Sequence, residues 1–147
     1  MNIVTAVRRR LMLEPDLSFA RIDKHKLGTD VTGKGTTVIV VSQNGSWRSS
    51  MQTARFPRVG LTIYSEDTRG PDGRISINDG MDKALQAWDV ADKVLHRPTL
   101  ETVVWGSIDD IGGVMVLFSN RETEASSIDH PATTVSALRA TYDLKTA

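Results

Sequence analysis

Residues 36–42 read TTVIVVS, and six of these seven side chains are β-branched. β-Branched side chains favour strands, and an apolar run without alternation is typical of a strand that is covered on both faces. We therefore predict a central strand of a sheet at this position.

The segment before this strand, GTDVTGKG at residues 28–35, partly matches the phosphate-binding P-loop G-x-x-x-x-G-K-[ST]. Gly28, Gly33 and Lys34 have the required spacing, but Gly35 replaces the hydroxyl residue that would hold Mg²⁺. A P-loop also leads into a helix whose N-terminal amides face the anion. Because a strand follows here, we interpret the segment as a flexible loop that does not bind phosphate.

Apolar periodicity predicts one helix over residues 3–13 and a second, clearer helix over residues 77–95. In the second helix, Leu85 and Trp88 fall on the apolar stripe and are expected in the core. The polar residues 14–35 are expected to form a long connection between the first helix and the first strand.

Four further segments have the composition of strands, and they cover residues 58–65, 102–107, 114–119 and 134–144. Residues 66–75 and the polar residues 120–132 are expected to be loops. The element order α-β-β-α-β-β-β predicts an α+β fold, a small mixed β-sheet with helices packed on one face. One domain covers residues 1–147.

The composition is balanced, with 18 basic and 18 acidic residues and no cysteine. A neutral chain does not suit non-specific binding of nucleic acid, which requires an excess of Lys and Arg. The lack of cysteine excludes disulfides and thiolate ligands. Neither a signal peptide nor a membrane span is predicted.

No catalytic, cofactor-binding or metal-binding residue is predicted, and we expect the protein not to be an enzyme. Asp72 and Gly73 resemble part of a calcium loop, but most of the other ligand positions lack strong oxygen donors. Asp109 and Asp110 are adjacent and would point to opposite faces of an extended chain. The three histidines, His25, His96 and His130, are widely spaced and lie in polar stretches.

Residues 44–57, between the first two predicted strands, are longer than a usual hairpin loop and contain large side chains. Aromatic residues, Met and Arg are enriched at protein–protein contacts. We therefore predict a protein–protein interface here. The alternative is that the loop folds back and its aromatic side chains fill the domain core. The candidate interface residues are Trp47, Arg48, Met51, Arg55 and Phe56.

The order of elements resembles the tail-terminator proteins, also called tail-completion or minor tail proteins, of long-tailed bacteriophages. The resemblance covers nearly the whole chain and rests on element order and residue class. It is carried by the stretches VRRRLMLEPDL, RVGLTIYSED, ISINDGMDKALQAWDVADKVLHRP, TVVWGSIDDIGGVMVLFS and SALRATYDL.

The resemblance implies a structural virion protein without catalytic residues. Its subunits would form a homohexameric ring that caps the tail tube, stops tube polymerisation and presents the head-to-tail joining surface. The implied partners are the tail tube protein and a head-closure or connector protein, with genomic DNA passing through the lumen without specific binding. The implied location is the head-proximal end of the virion tail, after assembly in the host cytoplasm.

Two alternatives to a tail terminator remain open from the sequence. A neighbouring neck component, such as a head-closure or head–tail joining protein, has a similar size and neutral composition. A small α+β enzyme or ligand-binding domain would build its site from residues that are distant in sequence.

Overall fold

The computed structural model describes residues 2–24, 33–48, 55–97, 103–106 and 112–147. Strands make up 50% of the structure and helices 24%, and six strands form a mixed sheet that curls into a half-barrel. The predicted α+β class with a small sheet and helices on one face is therefore wrong. The described chain is mainly β. Its strands are longer and more numerous than those predicted from the sequence.

The two α-helices of the described chain are α1 (Ile3–Met12) and α2 (Gly80–Leu95), and a short 3-10 helix spans Pro15–Leu17. The strands are β1 (Ala20–Lys24), β2 (Thr37–Ser46), β3 (Pro57–Glu66), β4 (Thr68–Arg69), β5 (Ile75–Ile77), β6 (Val103–Trp105), β7 (Val114–Ile128) and β8 (Val135–Thr146). The six-stranded sheet has the order β1-β2-β3-β8-β7-β6, in which only β1 and β2 are parallel neighbours. The two-stranded ribbon β4–β5 is separate from this sheet.

Strand β2 confirms the prediction that the β-branched run is covered on both faces. Ile39 and Val41 belong to the main hydrophobic core. Val38 and Val40 point to the opposite face and pack in a second cluster with Val135. The run lacks alternation because each face of β2 has its own apolar partners.

Strand β1 lies inside the segment that was predicted to be a long connection, so that prediction was wrong. Its five residues, ARIDK, pair in parallel with residues 37–41 of β2. Ile22 is its one buried apolar side chain. A single buried residue gives no periodic apolar pattern in the sequence. Strand β1 is therefore defined by its backbone hydrogen bonds to β2.

Strand β7 continues nine residues beyond the predicted end at Ser119, through a stretch that was expected to be a loop. Residues 120–128 are exposed or half-buried and pair with β8 by backbone hydrogen bonds. Irregularities in the register on either side of Thr123 interrupt the alternation of side chains. With no fully buried side chain and no regular alternation, this part of the strand has no apolar pattern to detect.

Helix α1 is confirmed, and the Asn2 side chain caps it by accepting a hydrogen bond from the Thr5 amide at 2.8 Å. Helix α2 begins three residues later than predicted, because Ile77 belongs to β5 and is exposed. The side of α2 that faces the main core carries the buried residues Ala84, Ala87, Ala91, Val94 and Leu95.

The placement of Leu85 in the core was wrong, because 45% of Leu85 is exposed. Trp88 is half-buried and packs against the main core. The small alanines of α2 occupy the positions closest to the sheet, which leaves Leu85 on the outer side of the helix.

Candidate functional site

Trp47 and Phe56, two of the predicted interface residues, lie where β2 ends and β3 begins. The Trp47 amide donates to the Phe56 carbonyl at 3.1 Å. The two rings meet edge to face, with centroids 5.4 Å apart, and the Trp47 ring also lies 6.1 Å from Phe118 of β7. The Trp47 indole Nε1 donates to the Leu144 carbonyl at 2.8 Å. Both aromatics are therefore anchored to their own domain.

Arg48 places its charge over this aromatic pair while remaining exposed to solvent. Its guanidinium carbon lies 4.4 Å from the Phe56 ring centroid and 5.5 Å from that of Trp47. The Lys145 ammonium lies 5.9 Å from the Phe56 centroid. Rings hold cations in this arrangement by attraction to their π faces. Within the described ranges Arg48 has no carboxylate partner.

The structure thus brings Trp47, Arg48 and Phe56 together. Arg55 is exposed beside Phe56, and its carbonyl accepts a hydrogen bond from the Thr146 amide at 2.9 Å. Met51 lies outside the described residues. The alternative that the aromatics fold back fits Phe56, which is 6% exposed. The interface role of these residues stays a prediction.

Phe118 and Lys145 complete the cluster, and sequence reasoning missed both. They are direct partners in the register of β7 and β8. Lys145 follows Leu144, which is buried in the main core, so Lys145 points to the opposite side of the sheet. Only the pairing of two distant strands reveals this contact.

The same side of the sheet carries further exposed apolar surface on β6 and β7. Met115 precedes Val116, a main-core residue, so its side chain points away from that core. Met115 is 46% exposed and pairs with Val104, which is 53% exposed. We define the outer patch as Trp47, Arg48, Phe56, Met115, Phe118 and Lys145.

A second polar arrangement surrounds Glu66, whose side chain is fully buried. Its carboxylate accepts hydrogen bonds from the amides of Gly33 at 2.7 Å and Gly35 at 2.9 Å. Arg69 Nε donates at 2.8 Å, and the Thr134 hydroxyl donates at 3.3 Å. Gly33 and Gly35 have φ values of +87° and +64°, a backbone conformation that suits glycine.

Two amides of the P-loop-like segment, those of Gly33 and Gly35, therefore bind an internal carboxylate and are not free for a phosphate. Burial opposes the ionisation of Glu66, but hydrogen bonds from Arg69 and the two glycine amides outweigh it. Together with the charge of Arg69 they lower the pKa of Glu66 from 4.5 to about 2. Glu66 acts as a structural anion that joins the loop before β2 to the end of β3.

A third arrangement links α2 to the β7–β8 hairpin through Asp92. Its carboxylate accepts hydrogen bonds from the Tyr142 hydroxyl at 2.7 Å and from Arg121 Nη1 at 2.6 Å. The Arg121 amide in turn donates to His96 Nδ1 at 3.0 Å. Burial, followed by the hydrogen bond to Asp92, raises the pKa of Tyr142. Tyr142 therefore stays neutral and serves as a fixed donor between helix and sheet.

Among the residues that the structure describes, Glu66 and Tyr142 are the two groups with strongly shifted pKa values, and both are fully buried with partners from their own chain. Within the described part of the chain, no group of three or more His, Cys, Asp or Glu side chains could hold a metal ion. In the same residues, no helix is long and apolar enough to cross a membrane. Arg48 and Met115 of the outer patch are exposed to solvent, so the outer patch is the candidate functional site.

No protein-family model matches the sequence, and no curated protein matches it significantly.

Proposed function

We propose that this protein is a structural subunit of a bacteriophage tail, of the tail-terminator type. Six copies form a ring that caps the tail tube, stops its polymerisation and provides the head-to-tail joining surface. The proposal rests on the resemblance of the chain to tail terminators and on one structural observation. That observation is the outer patch, on the sheet face opposite the main core, in which exposed Arg48 and Met115 border half-buried and buried aromatic side chains.

The composition of the outer patch favours contact with another protein. Aromatic residues, Met and Arg are enriched in protein–protein interfaces, and most binding energy comes from a few such residues. Arg48 is held on two rings, so little side-chain entropy is lost when a partner binds it. Met115 adds an apolar side chain that is 46% exposed in the isolated chain.

The internal polar groups favour an assembly role over catalysis. Glu66 and Tyr142 are enclosed by their own hydrogen-bond partners and cannot reach a bound substrate. A catalytic acid or base needs contact with the proton that it transfers. The polar networks instead fix the ends of α2 and β3, as a rigid assembly subunit requires.

The partners follow from the position of the ring. One ring face contacts the tail tube protein, and the other contacts a head-closure or connector protein at the head-proximal end of the tail. Genomic DNA passes through the lumen without specific binding, and the equal numbers of acidic and basic residues support this weak interaction. The protein assembles in the host cytoplasm and resides in the virion.

Electron microscopy of the purified protein and of the virion tests the proposal. Six copies of the 16.1 kDa chain give a closed ring with a mass of about 97 kDa. Antibody labelling is expected at the junction between tail tube and neck, and loss of the protein is expected to give overlong tubes. Labelling on the head side of the neck would identify a head-closure protein instead, and a protein without any ring would contradict the proposal.

A further inference from the structure

The outward side of α2 carries an acidic stripe, which we define as Asp82, Leu85 and Asp89. Their spacing of three and four residues places them on one face of the helix. All three are exposed, and Leu85 retains 45% of its surface. An exposed leucine between two carboxylates differs from the usual polar outer face of a helix.

The acidic stripe and the outer patch lie on opposite sides of the subunit. The inward side of α2 packs into the main core with Leu144 and Tyr142 of β8. The outer patch occupies the other face of the same strands, because Lys145 points away from that core. The two surfaces therefore cannot meet within one chain, but they can meet between neighbouring copies.

The two surfaces are complementary in chemistry. The outer patch surrounds aromatic rings with the cations of Arg48 and Lys145. The acidic stripe surrounds an aliphatic side chain with two carboxylates. Asp89 has an ion pair with Lys93 at 3.2 Å, but both side chains are at least 64% exposed, so the pair opposes docking only weakly.

We propose that the acidic stripe of one copy docks on the outer patch of the next copy. Leu85 packs on the aromatic rings, and Asp82 and Asp89 pair with Arg48 and Lys145. This inference rests on the proposed function, because it supplies the contact between ring neighbours. A patch that meets a different surface on its neighbour makes a heterologous contact, which gives a ring where the rotation between neighbours closes and an open filament where it does not. Two outer patches repel each other by charge, which disfavours a symmetric dimer.

A charge-reversal experiment tests this contact. One variant, R48E/K145E, makes the patch acidic, and the other, D82K/D89K, makes the stripe basic. Each variant alone is expected to require at least a hundredfold higher concentration than wild type for ring assembly, measured by sedimentation velocity. In an equimolar mixture, each reversed surface meets its complement on the other variant. The mixture is therefore expected to form six-membered rings of alternating subunits, at concentrations close to wild type.

Two control variants have the same change of net charge as the test variants, so they show whether the effect depends on the position of the charges. R74E/R139E and E122K/E124K reverse exposed charges outside the two surfaces and are expected to assemble like wild type. Circular dichroism and melting temperature confirm that each variant is folded. If R48E/K145E or D82K/D89K formed rings alone like wild type, the proposed contact would be wrong while the ring proposal would stand. If the folded variants did not assemble when mixed, the pairing of these two surfaces would also be refuted.

The same proteins also test two alternatives to this contact, namely that the chain stays monomeric and that the outer patch binds DNA. If wild type stays monomeric at every concentration, both the contact and the ring itself are contradicted in solution. Fluorescence anisotropy with double-stranded DNA tests whether the basic patch binds nucleic acid instead. Binding that R48E/K145E abolishes, together with unchanged ring assembly by that variant, would assign the patch to DNA.

Discussion

Replacing Glu66 with glutamine is expected to destabilise the protein at neutral pH and to have much less effect in acid. Glutamine retains the side-chain volume and one acceptor oxygen, but it removes the charge that faces Arg69. The carboxylate is fully buried and accepts hydrogen bonds from Arg69 and from the amides of Gly33 and Gly35. The substitution therefore removes the buried negative charge and also turns one acceptor oxygen into an NH₂ group that faces hydrogen-bond donors.

The size of the effect follows from the pKa of Glu66, which is lowered from 4.5 to about 2. At about 1.4 kcal/mol per pKa unit, this shift corresponds to an upper limit of about 3.5 kcal/mol. Because glutamine keeps part of the hydrogen bonding, we expect E66Q to lower the free energy of unfolding by about 2 kcal/mol at pH 7. The loop that contains Gly33 and Gly35 is then held less firmly against β3.

The pH dependence has a definite sign. Because the pKa of Glu66 is lower in the folded chain, its stabilisation is fully present above the ordinary pKa of 4.5. The stabilisation is lost as the pH falls toward the folded-state value of about 2. The difference between wild type and E66Q should therefore fall to about half or less between pH 7 and pH 3.

Urea denaturation followed by circular dichroism at pH 7 and pH 3 measures this difference. The matched control is E124Q, because the Glu124 side chain is 80% exposed and makes one long ion pair with Arg121. E124Q is expected to change stability by less than about 0.5 kcal/mol at either pH. An E66Q effect of equal size at both pH values would refute the role assigned to the ionised carboxylate.

Two further substitutions test the packing of α2. Leu95→Ala removes a fully buried side chain and should lower the free energy of unfolding by about 2–5 kcal/mol, whereas Leu85→Ala should change it by less than about 0.5 kcal/mol. If both substitutions lowered stability equally in thermal denaturation, the assignment of Leu95 to the inner side of α2 and Leu85 to its outer side would be wrong. Tyr142→Phe removes the hydrogen bond to Asp92 and should cost about 1–2 kcal/mol at pH 7. Because the pKa of Tyr142 is raised in the folded chain, wild type should lose stability above about pH 10. The Tyr142→Phe variant should lack the part of this loss that comes from the ionisation of Tyr142. If the stabilities of wild type and variant fell in parallel above about pH 10, the raised pKa of Tyr142 would be contradicted.

The sequence by itself determined the elements whose side chains carry a periodic or continuous apolar pattern. Strand β2 was predicted from its β-branched run, because both of its faces are buried. Helix α1 and most of α2 were predicted because each buries one side in the core. The sequence also indicated that large side chains such as Trp47 and Arg48 were unusual for a loop between strands.

Tertiary structure decided the elements and contacts that depend on backbone pairing between distant segments. Strand β1 and the outer half of β7 have few buried side chains, so their hydrogen bonds to β2 and β8 define them. These additions turned a predicted small α+β sheet into a curled, mainly β half-barrel. The outer position of Leu85 also depends on tertiary packing. The alanines of α2 allow the opposite side of the helix to approach the sheet, which leaves Leu85 facing outward.

The candidate site shows the same division between local pattern and long-range contact. Trp47, Arg48 and Phe56 are close in sequence and were predicted together, whereas Phe118 and Lys145 join them only through the register of β7 and β8. The Glu66 carboxylate likewise meets the glycine amides across about thirty residues of chain, through the pairing of β2 with β3. Side-chain periodicity describes only what one segment buries, and hydrogen bonds between strands select which segments become neighbours.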